Sequence, residues 1–309
     1  MKNDYDGLVK DPSVILQTRH SLKEHTSLKI GGPADLFAQP ANRDELLELI
    51  RWCDQSGTDF FILGGGANIL VSDLGIRGLV ISTEKLNRMH RITQLSSNQV
   101  EIEAGATVDE ACQWCAELGL GGLDFLAGMP GSMGGAVRMN ARCYGSEISD
   151  VLTQVCWSDA RGVIHNYHYK QQDWGYKQSP FQRADCVILS AQLQLSPDEP
   201  AAIYSRIQQW KEDRRRKGHY SFPSAGSMFK NDYSLGKPTG QIIDELGLRG
   251  YSKGDAQIAD FHGNLFINKG QASASQMRAL VLEVQSIVQE KLGIVIEPEV
   301  LFVGEWLPD

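Results

Sequence analysis

One stretch decides the fold of this chain: residues 60–71, which read FFILGGGANILV. An apolar run ends at Leu63, three consecutive glycines follow, and a second apolar run begins at Ile69. Short apolar runs on either side of such residues are typical of two strands joined by a tight loop. Glycine has no Cβ atom, so its backbone can adopt positive φ and a ligand can approach its amide groups closely. The pattern therefore indicates a nucleotide cofactor held by backbone amides.

A second glycine cluster, GMPGSMGGA at residues 128–136, strengthens this prediction. It leads into a segment that contains Arg138 and Asn140. Neither cluster has the G-x-G-x-x-G spacing of a Rossmann fold, and the chain has no G-x-x-x-x-G-K-[ST] phosphate loop. Two tight structural turns are the alternative interpretation. Because both clusters border apolar runs, we favour phosphate binding.

Composition and charge limit the classes of partner. The 309 residues are enough for about two domains with sizeable cores, and the formal net charge of -8 argues against a nucleic-acid or membrane partner. The first residues, MKNDYD, are acidic where a secretory signal would be basic and then apolar, and no run of about 18 apolar residues occurs. We expect a cytoplasmic protein that is a monomer.

The six cysteines fit reduced thiols better than disulfides in such a compartment. Cys112 and Cys115 form a C-x-x-C motif, which can indicate zinc or redox chemistry. The motif has no second pair, and it lies in a helical pattern that opens with a capping box at Thr107. We interpret it as a helix face packed into the core, and we expect no metal.

Apolar periodicity and capping residues predict an α+β protein. Helices are predicted at 41–56 with Asn42 as N-cap, at 108–119, at 203–216, and from Ser273, which forms a capping box with Gln276, to Gly293. Strands are predicted at 60–63, 69–71, 80–83, 100–104, 151–158, 163–169, 186–195 and 294–303. The basic cluster at 214–217 is either a solvated helix end favoured by the helix dipole or an anion site.

Two segments contain candidates for chemistry. In the strand predicted at 294–303, a period of two places Glu297 and Glu299 on one face, either at a solvated rim or in a cleft. The segment PSAGSMFK at 223–230 surrounds Ser227 with small residues but lacks the G-x-S-x-G pattern of hydrolases. Ser227 is either a turn residue or a proton donor held over a reacting carbon.

Four ordered motifs give the chain a family resemblance: LGGGANILV at 63–71, AGMPGSMGGA at 127–136, PSAGSMFK at 223–230 and EPEV at 297–300. In order and spacing they resemble the UDP-N-acetylenolpyruvoylglucosamine reductase (MurB) family, and HTSLKIGGPAD at 25–35 is similar too. The chain closes a few residues after Glu299, which resembles the shorter form of the family that lacks an extra tyrosine-bearing loop.

The resemblance implies a fold and an activity. The fold would be α+β, with a two-part FAD-binding region of the FAD-PCMH type at 1–83 and 84–205 and a C-terminal α+β substrate-binding domain at 206–309. NADPH would reduce FAD, and the reduced flavin would convert UDP-N-acetylglucosamine enolpyruvate to UDP-N-acetylmuramate. That reaction belongs to peptidoglycan precursor synthesis, and so to cell wall biogenesis, cell shape and cell division.

The resemblance also implies roles for individual residues. Ser227 would supply the proton to the enol intermediate, Glu299 would lie at the carboxyl end of the substrate, and Lys177 would be the third catalytic residue. The substrate would also contact Tyr176, Arg142, Lys230 and Asn231. FAD would be bound by Leu63, Gly64, Gly65, Gly66, Ala67, Asn68, Gly128, Pro130, Gly131, Ser132, Gly134, Gly135 and Asn140.

One departure from the family pattern concerns the cation at the site. Tyr176 is followed by Lys177 where the family usually has an arginine that polarises the enolpyruvyl carboxylate. Lysine keeps the charge but loses the planar, two-pronged donor. We hypothesise that Arg142 lies near the flavin and partly replaces the missing guanidinium.

Two other functions are open at this stage. One is a different FAD-PCMH-type oxidoreductase that oxidises a sugar or an alcohol with oxygen, against which the motifs at 223–230 and 297–300 speak. The other is a flavin-binding protein that has lost catalysis, which Lys177 would be consistent with.

Overall fold

The computed structural model describes residues 14–93 and 98–307. The acidic residues 1–6, on which the expectation of a cytoplasmic protein partly rests, lie outside the described residues. Within the described ranges, no helix is both long and apolar enough to cross a membrane.

Capping residues begin the three helices for which the sequence predicted them. The side chains of Asn42, Thr107 and Ser273 each accept a hydrogen bond from the backbone amide three residues later, at 3.0–3.2 Å. The described residues form six α-helices: α1 (Arg43–Ser56), α2 (Val108–Glu117), α3 (Met133–Arg138), α4 (Pro200–Arg216), α5 (Thr239–Glu245) and α6 (Ala274–Leu292). Helix α4 begins before the predicted residue 203, because proline fits the first turn of a helix. Helices α3 and α5 have no counterpart in the prediction.

The strands are short, and most of those predicted are present with ends shifted by one or two residues. In the part of the chain described they are β1 (Ile15–Ser21), β2 (Pro33–Gln39), β3 (Phe60–Leu63), β4 (Ile69–Val71), β5 (Ile76–Ser82), β6 (Met89–Ile92), β7 (Gln99–Glu103), β8 (Leu120–Gly121), β9 (Arg142–Cys143), β10 (Ser146–Glu147), β11 (Leu152–Ser158), β12 (Ile164–His168), β13 (Val187–Gln194), β14 (Ser196–Pro197), β15 (Ser224–Ser227), β16 (Ser252–Lys253), β17 (Ala256–Ile258), β18 (Leu265–Asn268) and β19 (Leu301–Val303).

The prediction of a strand over 294–303 is wrong except for its last three residues, which form β19. Pro298 has no amide hydrogen, and the backbone around it bonds to a different segment. The Lys230 amide donates to the Glu297 carbonyl at 2.9 Å, and the Glu299 amide donates to the Met228 carbonyl at 2.8 Å. Glu297 and Glu299 therefore do not share the face of one strand.

The chain forms two compact units. Among the described residues, the first unit contains those up to Thr18, Leu36–Gly65 and Gly78–Glu212. It contains a five-stranded antiparallel sheet in the order β12-β11-β13-β7-β6. One apolar core includes buried residues of this sheet, α2 and α3, and a second lies under α1 beside the parallel pair β3 and β5. This arrangement fixes the ends of the segments that carry both glycine clusters.

The second unit contains Arg19–Asp35, Gly66–Arg77 and the residues from Asp213 onward. A sheet in the order β15-β18-β17-β16 and helices α5 and α6 share one apolar core. The parallel pair of β4 and β19 also belongs to this unit. The three-domain division predicted at residues 83 and 205 stays a prediction. No pattern in the sequence indicated that two N-terminal segments belong to the same unit as the C-terminal residues.

Candidate functional site

The two glycine clusters approach each other within the first unit. A Cβ atom built on Gly64 would lie 2.5 Å from the Ser132 hydroxyl oxygen, and one on Gly65 would lie 2.6 Å from the Gly131 Cα atom. No side chain fits between these backbones, so the loops require glycine for their close approach. Leu63, at the end of β3, is buried and anchors the first loop.

Backbone bonds fix the second loop while leaving amides unpaired. Val108 N donates to Gly131 O at 3.1 Å, and Met133 N donates to Ala106 O at 2.8 Å. Within the described residues, the amides of Gly65, Gly131 and Ser132 donate to no protein acceptor. Unpaired amides on two closely apposed loops are donors of the kind that bind phosphate oxygens. The residues present therefore fit a nucleotide cofactor.

The remaining residues of the second cluster have structural contacts. Gly134 packs on Ala104, the residue that follows β7. Its amide donates to Ala104 O at 2.9 Å, and a Cβ atom on Gly134 would lie 2.9 Å from the Ala104 Cβ. The Ser132 hydroxyl caps α3 by accepting from Gly135 N at 3.3 Å. Gly128 has φ of +71°, and its amide donates to Asp109. Pro130 is exposed.

The end of the first loop belongs to the second unit. Gly66 has φ of +58°, and a Cβ there would lie 2.0 Å from the His25 carbonyl oxygen. Ala67 follows, half-buried. The Asn68 side-chain amide donates to Glu299 O at 3.0 Å, and Leu301 N donates to Asn68 O at 3.0 Å. Asn68 thus joins the glycine loop to the segment that carries a predicted catalytic carboxylate.

In the first unit, a tight turn presents Lys177. The backbones of Gly175 and Gln178 exchange hydrogen bonds at 3.2 and 3.0 Å around Tyr176 and Lys177. Lys177 has φ of +57°, which is unfavourable for a residue with a Cβ atom and is characteristic of residues held in place for function. Gln182 Nε2 donates to the Lys177 carbonyl at 2.8 Å. The lysine therefore projects from a backbone that is fixed on both sides.

Asn140 holds this turn. It is fully buried, its Nδ2 donates to Gly175 O at 2.9 Å, and its Oδ1 accepts from Ser149 N at 3.3 Å. Both ends of its amide thus bond to the protein, and its predicted role as a cofactor ligand stays a prediction. Arg142 is exposed, with its guanidinium carbon 5.8 Å from the centre of the Tyr176 ring. This brings two residues predicted to bind substrate together.

In the second unit, Ser227 lies at the end of β15, opposite Leu265 in β18. It follows Gly226, whose φ of +72° turns the strand. Ser227 lines a cavity of about 210 Å³. The other residues that line it are Asn231, Pro238, Gly240, Gln241, Asp244, Arg249, His262 and Asn264. Of these, only Asn231 was predicted.

The cavity wall combines charged and neutral donors. Arg249 Nε donates to Asp244 Oδ1 at 2.6 Å, and this hydrogen bond lowers the pKa of Asp244. Burial lowers the pKa of His262, whose Nδ1 accepts from Asn264 N at 3.1 Å. The neutral ring therefore carries its proton on Nε2. Sequence reasoning missed these residues, because no motif marks them and they meet only through the packing of α5 on the sheet.

The carboxylates differ in exposure. The Glu297 side chain is 70% exposed and forms an ion pair with Lys230 at 3.2 Å. Such a surface pair contributes little to stability, so it leaves Lys230 able to exchange partners. Glu299 is half-buried. Among the described residues, no group of three or more metal-ligating side chains occurs, and Cys112 and Cys115 are buried in α2 with pKa values raised by burial.

Known proteins match both parts of this chain. Residues 34–167 match the model of an FAD binding domain, and residues 218–303 match that of the UDP-N-acetylenolpyruvoylglucosamine reductase C-terminal domain. The chain is similar to UDP-N-acetylenolpyruvoylglucosamine reductases of Treponema denticola (42% identity, 92% of each chain) and Trichlorobacter lovleyi (43% identity, 90% of each). A crystal structure of the reductase (MurB) from Thermus caldophilus aligns with a TM-score of 0.76 at 32% identity, covering 94% of this chain and 98% of that one.

Proposed function

The chain belongs to the UDP-N-acetylenolpyruvoylglucosamine reductase (MurB) family, and from this premise we propose which of its residues perform the reaction. It is an FAD-dependent oxidoreductase that uses NADPH to reduce UDP-N-acetylglucosamine enolpyruvate to UDP-N-acetylmuramate, in peptidoglycan precursor synthesis. One observation carries this conclusion: a single chain matches both an FAD binding domain and the C-terminal domain of the reductase. The second match decides against a different oxidoreductase of the same fold.

FAD, when bound, supplies hydride transfer from NADPH to the carbon–carbon double bond of the substrate. Support for the apposed loops as its phosphate site comes from the unpaired amides of Gly65, Gly131 and Ser132 and from the absence of any Cβ atom on the first two. We assign Gly64 to the same surface, since a Cβ atom there would collide with the Ser132 hydroxyl.

Ser227 supplies the proton that the reaction requires. Hydride adds to the terminal carbon of the enolpyruvyl group, and the electron pair of the double bond moves to the carbon that bears the carboxylate. That carbon takes the proton of the Ser227 hydroxyl, which regains one from solvent, so that the net change is addition of one hydride and one proton. Support comes from the location of Ser227 on the wall of a cavity inside the reductase C-terminal domain.

Cations and a carboxylate support this step. Lys177, projecting from its strained turn, stabilises the negative charge that develops next to the substrate carboxylate. The Arg142 and Tyr176 pair binds substrate beside it. Glu299 lies at the carboxyl end of the substrate, while Lys230 and Asn231 bind the nucleotide phosphates. The surface exposure of the ion pair between Lys230 and Glu297 supports this, because a phosphate can displace the carboxylate at low cost.

The cofactor assignment is tested by Gly65→Ala, with Gly57→Ala as the matched control. Gly65→Ala places a methyl group 2.6 Å from the Gly131 backbone, so we expect FAD content after gel filtration to fall several-fold. Gly57 ends α1 with φ of +66° and open space around its Cβ position, so alanine there costs about 1 kcal/mol of stability and should leave FAD content unchanged. Full flavin occupancy in a folded Gly65→Ala protein would remove these loops from the site.

We also propose that the protein acts as a cytoplasmic monomer without nucleic-acid or membrane partners. The net charge of -8 and the six free thiols support this proposal. A solution mass near 34.2 kDa in light scattering is the expected result for a monomer.

A further inference from the structure

One buried side chain bonds to both backbone groups of a residue close to Ser227. Asn264 is 2% exposed. Its Oδ1 accepts from Phe229 N at 2.9 Å, and its Nδ2 donates to Phe229 O at 2.8 Å. Its own carbonyl accepts from Met228 N at 2.9 Å. The side-chain amide of Asn264 therefore replaces a strand partner for Phe229, while its backbone carbonyl pairs with Met228.

The same segment is held from its other side. Met228 O accepts from Glu299 N at 2.8 Å, and Phe229 bridges to Pro298. The side chains of Met228 and Phe229 are fully buried. Gly226, with a φ of +72°, turns the backbone immediately before Ser227, where the register of β15 on β18 shifts. The bonds of Met228 and Phe229, together with the pairing of Ser227 opposite Leu265, therefore hold the backbone that carries the Ser227 hydroxyl.

Asn264 also lines the same cavity as Ser227. We propose that Asn264 is a positioning residue, which fixes Met228 and Phe229 and thereby aims the Ser227 hydroxyl at the carbon that it protonates. This inference rests on the proposed role of Ser227 as proton donor. A side-chain amide offers a donor and an acceptor side by side, whereas an ionised carboxylate in its place would face the Phe229 carbonyl without a proton to donate. A misplacement of about 1 Å can cost about 10²-fold in rate.

The chain offers a matched control at the far end of the strand that follows Asn264. Asn268, the last residue of β18, is also 2% exposed. Its Nδ2 donates to Leu28 O at 3.1 Å, and its Oδ1 accepts from Gly270 N and Ala272 N, each at 3.0 Å. Asn268→Asp thus breaks the same kind of buried amide contact in the same unit. The Asn268 side chain bonds to none of the residues that follow Ser227, and only its backbone amide, which the substitution keeps, donates to Pro223 O at 2.9 Å.

The experiment measures both half-reactions of the FAD-loaded enzyme by stopped flow in four variants: Asn264→Asp, Asn268→Asp, Ser227→Ala and the double variant of Asn264→Asp with Ser227→Ala. We expect Asn264→Asp to slow flavin reoxidation by substrate at least about 10-fold while flavin reduction by NADPH changes less than about 3-fold. Asn268→Asp should lower the midpoint of thermal unfolding to a similar extent and leave both rates within about 3-fold. In the double variant, the Asn264 substitution should have no further effect on reoxidation.

The outcomes separate the two claims. If Ser227→Ala slows both half-reactions equally, the proton-donor role fails and the inference about Asn264 fails with it. If Ser227→Ala slows reoxidation alone but Asn264→Asp slows both half-reactions or neither, the proton-donor role stands and the positioning role is overturned. Should Asn264→Asp not fold with FAD, Asn264→Ser, which keeps one hydrogen-bonding group, is measured in its place. Failure of both variants to hold FAD would make Asn264 a structural residue and overturn the proposal.

Discussion

The turn that carries Lys177 and the segment that carries Ser227 are each held by a buried asparagine, but in different ways. Asn140 bonds to one carbonyl at the edge of its turn, that of Gly175, and the lysine at the apex is only half-buried. Asn264 bonds to both the amide and the carbonyl of Phe229, and the side chains of the two residues that follow Ser227 are fully buried. The serine is therefore held more rigidly than the lysine.

The difference follows from what each group does. Proton transfer requires the donor within hydrogen-bond distance of the acceptor carbon, so small displacements of Ser227 are costly. A charge acts over longer distances, because Coulomb energy falls only with the first power of separation. Lys177 can therefore tolerate a looser support. Substitutions in the two regions test whether Ser227 needs a more rigid support than Lys177.

The largest expected effect is that of Ser227→Ala. Removing the proton donor should slow flavin reoxidation by substrate by about 10²–10⁴-fold, while flavin reduction by NADPH stays close to normal. Stopped-flow absorbance of the flavin follows both steps. Equal slowing of the two half-reactions would mean that Ser227 only supports the structure, and the contrast between the two regions would then disappear.

A smaller but still large effect is expected at Lys177. Lys177→Ala should lower turnover about 10²-fold or more, because a preorganised cation contributes most where negative charge develops. Lys177→Arg should retain or raise activity, since a guanidinium can bind a carboxylate through two hydrogen bonds. Steady-state turnover is measured at saturating NADPH and substrate.

Arg142→Ala completes this test. If Arg142 replaces the family guanidinium, its alanine variant should be the damaging one and Lys177→Ala nearly silent. Its exposed location over the Tyr176 ring leads us to expect a loss smaller than that at Lys177. Normal turnover in both alanine variants would exclude both residues as the catalytic cation.

Asn140→Ala probes the looser support. It leaves the Ser149 amide without its acceptor and removes one of the two hydrogen bonds that the Gly175 carbonyl accepts, so we expect a loss of about 1–3 kcal/mol in the free energy of unfolding. Turnover should fall less than 10-fold, because the bond from Gln182 still holds the Lys177 carbonyl. Denaturant unfolding and steady-state assays of the variant check both numbers. A loss of turnover as large as that of Lys177→Ala would show that the two regions need equal rigidity.

The smallest effect concerns pH. Burial, and then the nearby charge of Arg214, lowers the pKa of His219 in the second unit to about 4, below the unfolded value of 6.5. The unfolded chain therefore binds more protons between these values, and the stability contributed by the neutral ring is lost as pH falls from about 6.5 to about 4. Glutamine does not titrate, so His219→Gln should reduce this loss of stability. The thermal unfolding midpoint should fall by a few °C less between pH 7 and pH 4.5 in the variant than in the unsubstituted protein. An unchanged pH dependence would contradict the assignment.

The local pattern of the chain predicted the bounds of single elements better than the contacts between distant segments. Asn42, Thr107 and Ser273 cap helices as predicted, because a cap depends only on residues three positions apart. The strand predicted at 294–303 is wrong, because its backbone bonds to residues 228–230, some seventy positions away, and alternating polarity cannot reveal that partner. Arg249 and His262 were missed for the same reason, since they line the cavity only once the second unit has folded.

By itself, the sequence determined the local features of this protein: glycines where two loops approach too closely for a Cβ atom, a serine that follows a glycine, and ordered motifs that place the chain in its family. Those features are local and depend on the type of residue at each position. The tertiary structure alone decided how the side chains are supported. The pairing of Asn264 with Phe229 and of Asn140 with Gly175 joins residues 35 positions apart, because buried amides and carbonyls must find partners and only the folded chain brings these together.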